Sequence, residues 1–541
     1  MPQPETLPAA LRAAATAHAD LPAVVDGDTT LSFRDLHAAV RDTARGYVAL
    51  GLEPGDTVCL WAPNSWEWVV AGLAVSYAGG VLVPVNTRYK GEEVADVVER
   101  SGARLCVVAD GFLGRSQVAE LRAAVAERGT GGDAGGHALP GLDRVAAVVG
   151  IGTTTADDTT AFSSLGDLGA AVEDIDAVAE TVRPDDIADI LFTSGTTGRS
   201  KGVLSTHEQT LAAARVWTRT CRVTEQDRYL VISPFFHSYG YKVGIVASLV
   251  SGCALHPMAT FDAEEALATI QRERLTIVPG APTIFHSLLE SPAFATTDTS
   301  SLRLANMGSA SIPPRLIERM LGELSFELVI PAFGMTECVV ATMCRPGDPD
   351  EVIATTNGRA VEGLEMRVVD PATGEVCEAG AAGEIQLRGA MVMQGYLDDP
   401  VATAEAIDPD GWLHTGDVGT VDADGNMRIT DRLKDMYVSG GFNVYPAEVE
   451  AALARLDGVV EAAVVGVPDE RMGEVGKAFV IQREGADLTQ EQVVAFLRER
   501  IANFKVPRHV ELVPDLPRNA SHKVLKPELR ARATTKDDRW T

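Results

Sequence analysis

The chain has 541 residues, 46% of them apolar and 23% charged, with a formal net charge of −29. That length exceeds what one hydrophobic core organises, so several subdomains are expected. The acidic balance argues against a nucleic-acid partner, which needs clustered Lys and Arg, and any anionic substrate must meet locally gathered donors.

Residues 1–20 are amphipathic and acidic and lack a basic stretch followed by an apolar run, so they do not read as a signal peptide. Residues 33–50 have helical spacing, 56–61 read as a strand, 66–77 as a buried helix and 81–85 as a strand again. This alternation predicts an α/β fold whose large N-terminal domain is built of layered sheets and helices. The stretch at about 128–181 is rich in Gly, Thr, Asp and Ala and reads as a surface insertion with little chemistry. Patterning resumes at 187, where a strand-like run over 188–193 enters a Gly/Ser/Thr loop. Residues 264–274 and 314–324 are helical, and 359–431 carry short strands between Gly, Asp and Pro turns, a small β-rich subdomain. A boundary is expected near 431–435. Beyond it Pro446 starts a helix, 462–467 read as a strand and 490–501 as a helix, which makes a compact α+β C-terminal domain. The expected division is 1–431 and 432–541.

The seven cysteines, at 59, 106, 221, 253, 338, 344 and 377, include no CxxC pair. That pattern suits a reduced, cytoplasmic protein without structural zinc. No window holds 18 uninterrupted apolar residues, so no integral membrane segment is expected.

The most informative run is Thr193-Ser-Gly-Thr-Thr-Gly-Arg-Ser-Lys-Gly202. Gly195 and Gly198 let backbone N–H groups converge, Ser194, Thr196 and Thr197 add hydroxyls, and Lys201 adds charge: a polyphosphate cradle that begins at Thr193. It is not a Walker A loop, because Gly202 follows Lys201 where Ser or Thr is required.

Five further runs share the chain in order: Phe333-Gly-Met-Thr-Glu337, Gly411-Trp-Leu-His-Thr-Gly-Asp417, Asp431-Arg-Leu-Lys-Asp435, Gly440-Gly-Phe-Asn-Val-Tyr-Pro446 and Pro517-Arg-Asn-Ala-Ser-His-Lys523. With the phosphate loop they resemble the adenylate-forming superfamily of acyl-CoA synthetases, adenylation domains and luciferases, over the whole chain except the insertion. The resemblance implies ATP and coenzyme A as co-substrates, Mg²⁺ as cofactor and a small carboxylic acid as the molecule activated. It implies that Glu337 holds Mg²⁺, that Thr336 touches the α-phosphate, that Gly334 belongs to the nucleotide site, and that Phe333 stacks on adenine against Gly308, Ser309 and Ala310. Asp417 and Arg432 take the ribose hydroxyls, and Lys523 bridges carboxylate and α-phosphate. His522 stands where the family often has Gly, and Lys526 is close enough to Lys523 to compete for its role. Lys434 is the implied hinge of a C-terminal rotation. Gly440, Gly441 and Phe442 then serve the thiol step, with Phe504 and Lys505 as contacts for CoA. A homodimer is left open.

The acyl pocket is expected from segments that hold His237, Tyr241, Met307, Gly308 and Met335, with His237 also counted among the catalytic residues. No carboxylate occurs between 234 and 261, which disfavours an amino-acid substrate, whose ammonium would be buried unpaired. Pro234-Phe-Phe-His-Ser-Tyr-Gly-Tyr-Lys242 and Thr342-Met-Cys-Arg-Pro346 also resemble the bacterial synthetases that activate the methylhexahydroindanedione propionate of steroid rings C and D. Medium-chain or aryl-acid CoA ligases, and enzymes that load a carrier protein, are the alternatives.

Overall fold

The computed structural model describes residues 3–127, 139, 142–152, 159–193, 200–308, 314–433, 435–439, 442–469, 471–483, 485–518 and 524–534. The chain packs as two compact units, Met1–Glu365 with Arg388–Trp412, and Met366–Leu387 with Leu413–Thr541. Among the described residues both units combine helices with sheets, the first around a mainly parallel sheet and the second around mainly antiparallel ones.

In the first unit the longest sheet has eight strands. Their order is Gly395–Tyr396, Gly202–Thr206, Ile187–Phe192, Val81–Pro84, Thr57–Trp61, Leu105–Ala109, Ala147–Ile151 and Thr160–Ala161. From Ile187–Phe192 onward the neighbours run parallel, while Gly202–Thr206 and Gly395–Tyr396 join antiparallel. Parallel strands need both faces covered, and Leu105–Ala109 is accordingly buried at every position. The helix Trp66–Tyr77 is buried at every position from Trp68 to Tyr77, as its apolar composition all round predicts. Helix Phe33–Ala49 packs against it and is started by a capping box between Ser32 and Asp35.

One expectation is corrected. The segment read as a surface insertion contributes the strand Ala147–Ile151, buried at every position and paired with Leu105–Ala109. Leu139, Leu142, Val145 and Val148 join the same apolar cluster. Farther on, Asp176 accepts from Arg41 and from the Tyr77 hydroxyl, which ties the helix Ile175–Thr181 to the body. The flanking Gly and Thr runs obscured a short apolar strand between them.

Among the described residues this unit also has two four-stranded sheets. One is ordered Arg228–Val231, Ala254–Pro257, Pro22–Asp26, Thr29–Ser32, and the other Leu304–Met307, Leu328–Met335, Cys338–Met343, Arg359–Ala360.

The second unit holds most of an antiparallel sheet ordered Leu364–Val369, Gly383–Gly389, Leu413–Val421, Met427–Arg432. It also holds a five-stranded sheet centred on the hairpin of Val459–Asp469 and Gly473–Gln482. Alternate residues of the first of those strands enter two cores. Val464 packs with Val449, Leu453, Val493 and Leu497 of two helices, while Ala463 and Val465 pack with Leu529 of a third.

Candidate active site

Sheet pairing delivers the phosphate loop to one place. Strand Ile187–Phe192 pairs with Gly202–Thr206 as far as Phe192 opposite Gly202, and Thr193 N–H then donates to the Lys201 carbonyl at 2.9 Å. Thr193 and Lys201 thus bracket the loop. Ser194, Gly195, Thr196, Thr197 and Gly198 lie outside the described residues, as do Ser309, Ala310, Lys434, Gly440, Gly441 and Lys523. Of Arg432 and Phe442 only the backbone is described.

Thr336 and Glu337 form the two-residue connection between Leu328–Met335 and Cys338–Met343, where Met335 pairs with Cys338. Gly334 is required here, because a Cβ on it would lie 1.9 Å from the Val339 carbonyl oxygen across the hairpin. Glu337 Oε1 accepts from the Tyr396 hydroxyl at 2.8 Å, and the Glu337 carbonyl accepts from Met393 N–H at 2.8 Å. Lys201 Nζ stands 4.8 Å from the centroid of the same Tyr396 ring. Burial, and then the Glu337 charge, push the Tyr396 phenol up from its ordinary value, which keeps it a donor. On the neighbouring strand Phe333 is 9% exposed, and Gly308 follows the strand Leu304–Met307.

The acyl segment is held by Asn64. Its amide donates to the carbonyls of Val231 and Ser233, and its oxygen accepts from Phe235 N–H at 2.7 Å. His237 follows, exposed, with Nδ1 accepting from Tyr239 N–H at 3.2 Å. From Tyr239 to Val246 the chain winds as a π-helix, a form that clusters at functional sites. Tyr241 is fully buried beside Trp68, as a core residue would be. Lys242, 2% exposed, turns inward and places Nζ 3.0 Å from Asp189 Oδ1 on the strand that leads to the phosphate loop. Asp189 also accepts from Thr210 at 2.8 Å; its burial raises its pKa, and the Lys242 charge opposes that rise. Met307 is fully buried, while Met335 is half-buried.

In the second unit Asp417 is 6% exposed and sits opposite Arg432 in the sheet. The turn before it is closely fixed. Glu384 accepts from Gly416 N–H at 3.2 Å, contacts His414 Nδ1 at 2.9 Å and accepts from Gln386 at 3.0 Å. Thr415 accepts from Asp417 N–H and donates to the Ile385 carbonyl. Gly416 has φ +67°, a conformation that suits glycine.

Arg518 bridges to Val524, which brackets the run that contains Lys523. Its rival Lys526 is ion-paired with Glu450 at 2.9 Å, so its charge is already engaged. Lys505 is similarly held, donating to both Glu448 oxygens at 2.6 and 2.7 Å, with its ammonium 5.7 Å from the Phe504 ring.

Four residues escaped sequence reasoning: Tyr396, Asn64, Glu384 and Asn306. Asn306 accepts from Trp217 and Tyr239 and donates to the Ile330 carbonyl, fixing the strand that ends at Met307. Each acts through a partner far away in the chain, and no local spacing announces that.

Among the described residues no group of three or more His, Cys, Asp or Glu is gathered to cage a metal. A lone carboxylate such as Glu337 still fits Mg²⁺, which commonly takes one or two protein carboxylates together with substrate phosphates and water.

The model of the AMP-binding enzyme family matches residues 11–397, and that of the AMP-binding enzyme C-terminal domain matches 448–523. A methyl-dioxo-octahydroindenyl propanoyl:CoA ligase of Rhodococcus jostii is 51% identical over 98% of this chain and 99% of its own. Its counterpart of the same name in Mycobacterium tuberculosis is 49% identical over 97% of this chain and 98% of its own. ATP-bound MatB of Rhodopseudomonas palustris superposes with a TM-score of 0.85 at 30% identity, covering 98% of this chain and 99% of that one. The chain therefore belongs to the AMP-binding enzyme family, the adenylate-forming ligases whose motifs its sequence carries in order.

Proposed function

We propose that this AMP-forming acid–CoA ligase activates the propionate side chain of a methylhexahydroindanedione, the two-ring remnant of steroid rings C and D. The observation that carries the substrate is the likeness, along nearly the whole chain, to two propanoyl:CoA ligases named for that ring system. The acyl segment is consistent with it. Residues 234–261 contain no carboxylate, and their one Lys or Arg, Lys242, is spent on Asp189 inside the core. A largely apolar acid therefore suits the site better than an amino acid.

In the first half-reaction a carboxylate oxygen of the acid attacks the α-phosphorus of ATP, and pyrophosphate leaves. In the second the CoA sulfur attacks the acyl carbon, its proton is lost, and AMP leaves. Two anions meet in the first step, so positive charge must gather there. We assign the phosphates to the loop 193–202 with Lys201, the α-phosphate to Thr336 and Lys523, adenine to Phe333 and Gly308, and the ribose to Asp417 and Arg432. Glu337 would hold Mg²⁺, which when bound neutralises phosphate charge. His237, Met307, Gly308 and Met335 are assigned to the acid, with Tyr241 behind them. For the thiol step we propose that residues 432–541 turn about Lys434 and present Gly440, Gly441 and Phe442 to CoA. The seven unpaired cysteines agree with a reducing cytoplasm as the place of work.

Exchange of labelled pyrophosphate into ATP, dependent on the acid and independent of CoA, is the test of the adenylate step. Exchange that requires CoA would contradict the two-step reading.

A further inference from the structure

Glu337 and Lys201 lie 136 positions apart in the chain, on a hairpin turn and at the end of the phosphate loop, yet both meet one side chain. Tyr396 stands on the two-residue strand Gly395–Tyr396, whose pairing with Gly202–Thr206 sets Tyr396 opposite Val203, two residues beyond Lys201. Its hydroxyl donates to Glu337 at 2.8 Å, and its ring lies under the Lys201 ammonium at 4.8 Å. The strand is itself secured. Tyr396 N–H donates to Thr403 at 2.9 Å, Leu397 N–H to the Gly202 carbonyl at 2.7 Å, and Met393 N–H to the Glu337 carbonyl.

We propose that Tyr396 is a positioning residue for adenylate formation, one that fixes the direction of the Glu337 carboxylate and seats the Lys201 ammonium beside it. This rests on the reading of Glu337 as the Mg²⁺ ligand and Lys201 as a phosphate cation. The physical need is plain. A carboxylate that meets a metal through one oxygen binds best when its other oxygen is already held, and a flexible lysine loses rotamer entropy before the phosphate arrives if a ring face holds it. A phenol does both from one rigid group with two side-chain torsions. Phenylalanine at this place keeps the ring and loses only the bond to Glu337, so the two functions are separable.

The test is Mn²⁺ binding, followed by electron paramagnetic resonance, to the full-length enzyme with α,β-methylene-ATP. Alongside it run the two half-reactions, with acyl-adenylate supplied for the second. Tyr396→Phe is expected to weaken Mn²⁺ binding about ten-fold and to lower kcat/KM for MgATP by a like factor, while thioester formation stays within about two-fold. Tyr396→Leu, which also removes the ring, should raise KM for ATP further. Glu337→Gln is the companion: on that background Tyr396→Phe should cost nothing more. Unchanged Mn²⁺ affinity in Tyr396→Phe, with Glu337→Gln weakened, overturns the role of Tyr396 and leaves the metal reading intact. Unchanged affinity in Glu337→Gln instead overturns the metal reading itself. Loss of both half-reactions in Tyr396→Phe marks a purely structural residue and also overturns the proposal.

Discussion

Replacing Lys242 with methionine removes the only counter-charge the ion pair gives Asp189, which is fully buried. Asp189 would keep its hydrogen bond from Thr210, but a carboxylate in that place would be uncompensated. Breaking a buried pair from one side costs about 3–5 kcal/mol, whereas replacing both partners with apolar or neutral groups is often nearly neutral. Unfolding entropy is about 2.1 cal/mol/K per residue. Over the unit of Met1–Glu365 with Arg388–Trp412, about 390 residues, the loss corresponds to a fall in Tm of about 4–6 °C. The pH dependence has a definite sign. Burial raises the pKa of Asp189 in the folded state, and without Lys242 only the weaker hydrogen bonds from Thr210 and Ser205 oppose that rise. A carboxyl with a raised folded pKa binds its proton more readily folded than unfolded, so the deficit shrinks as pH falls. Differential scanning calorimetry of Lys242→Met, and of Lys242→Met with Asp189→Asn, checks this at neutral and mildly acidic pH. The double variant should recover most of the lost Tm. A single variant within about 1 °C of the parent, or a deficit that grows as pH falls, refutes the reasoning.

Other consequences can be read from individual groups. Burial lowers His207 and His256 from 6.5 to about 4, so the folded state resists their protonation. Their contribution is intact above about 6.5 and is lost as pH falls to about 4, up to about 3 kcal/mol for each, to be read from urea midpoints across that range. Lys523→Ala should abolish adenylate formation and spare thioester formation from supplied acyl-adenylate. Lys526→Met should keep both half-reactions and lose about 1 kcal/mol of stability, since its partner is Glu450; the reverse pattern would exchange the two lysines. Glu384→Ala frees the Gly416 turn and should raise KM for ATP several-fold, with kcat less affected, in steady-state assays.

The elements with strong periodicity were legible in sequence. The helix expected at 66–77 is Trp66–Tyr77, and the strand expected at 188–193 is Ile187–Phe192. The β-rich character of 359–431 also stands. What stayed hidden depends on distant partners. Ala147–Ile151 reads as part of a Gly- and Thr-rich stretch, and only its parallel pairing with Leu105–Ala109 makes it a core strand. The long strand Gly473–Gln482 begins Gly-Glu-Val-Gly-Lys, without a regular period, which weakens its local signal, and it is placed by Val459–Asp469. In the site, Glu337 and Asp417 stand inside dense motifs, whereas Tyr396 gains its significance from a contact 59 residues away. Nothing local in the sequence announces that Lys242 is buried; the π-helix and Asp189 explain why it is inside.

The central claim is the identity of the acid and the acceptor. AMP release from ATP, measured over a panel of octanoate, benzoate, a branched acid and the indanedione propionate with and without CoA, tests both together. The account predicts CoA-dependent turnover strongest with the indanedione propionate. Stronger turnover with another acid contradicts the substrate assignment, and equal turnover without CoA contradicts the assignment of CoA as acceptor.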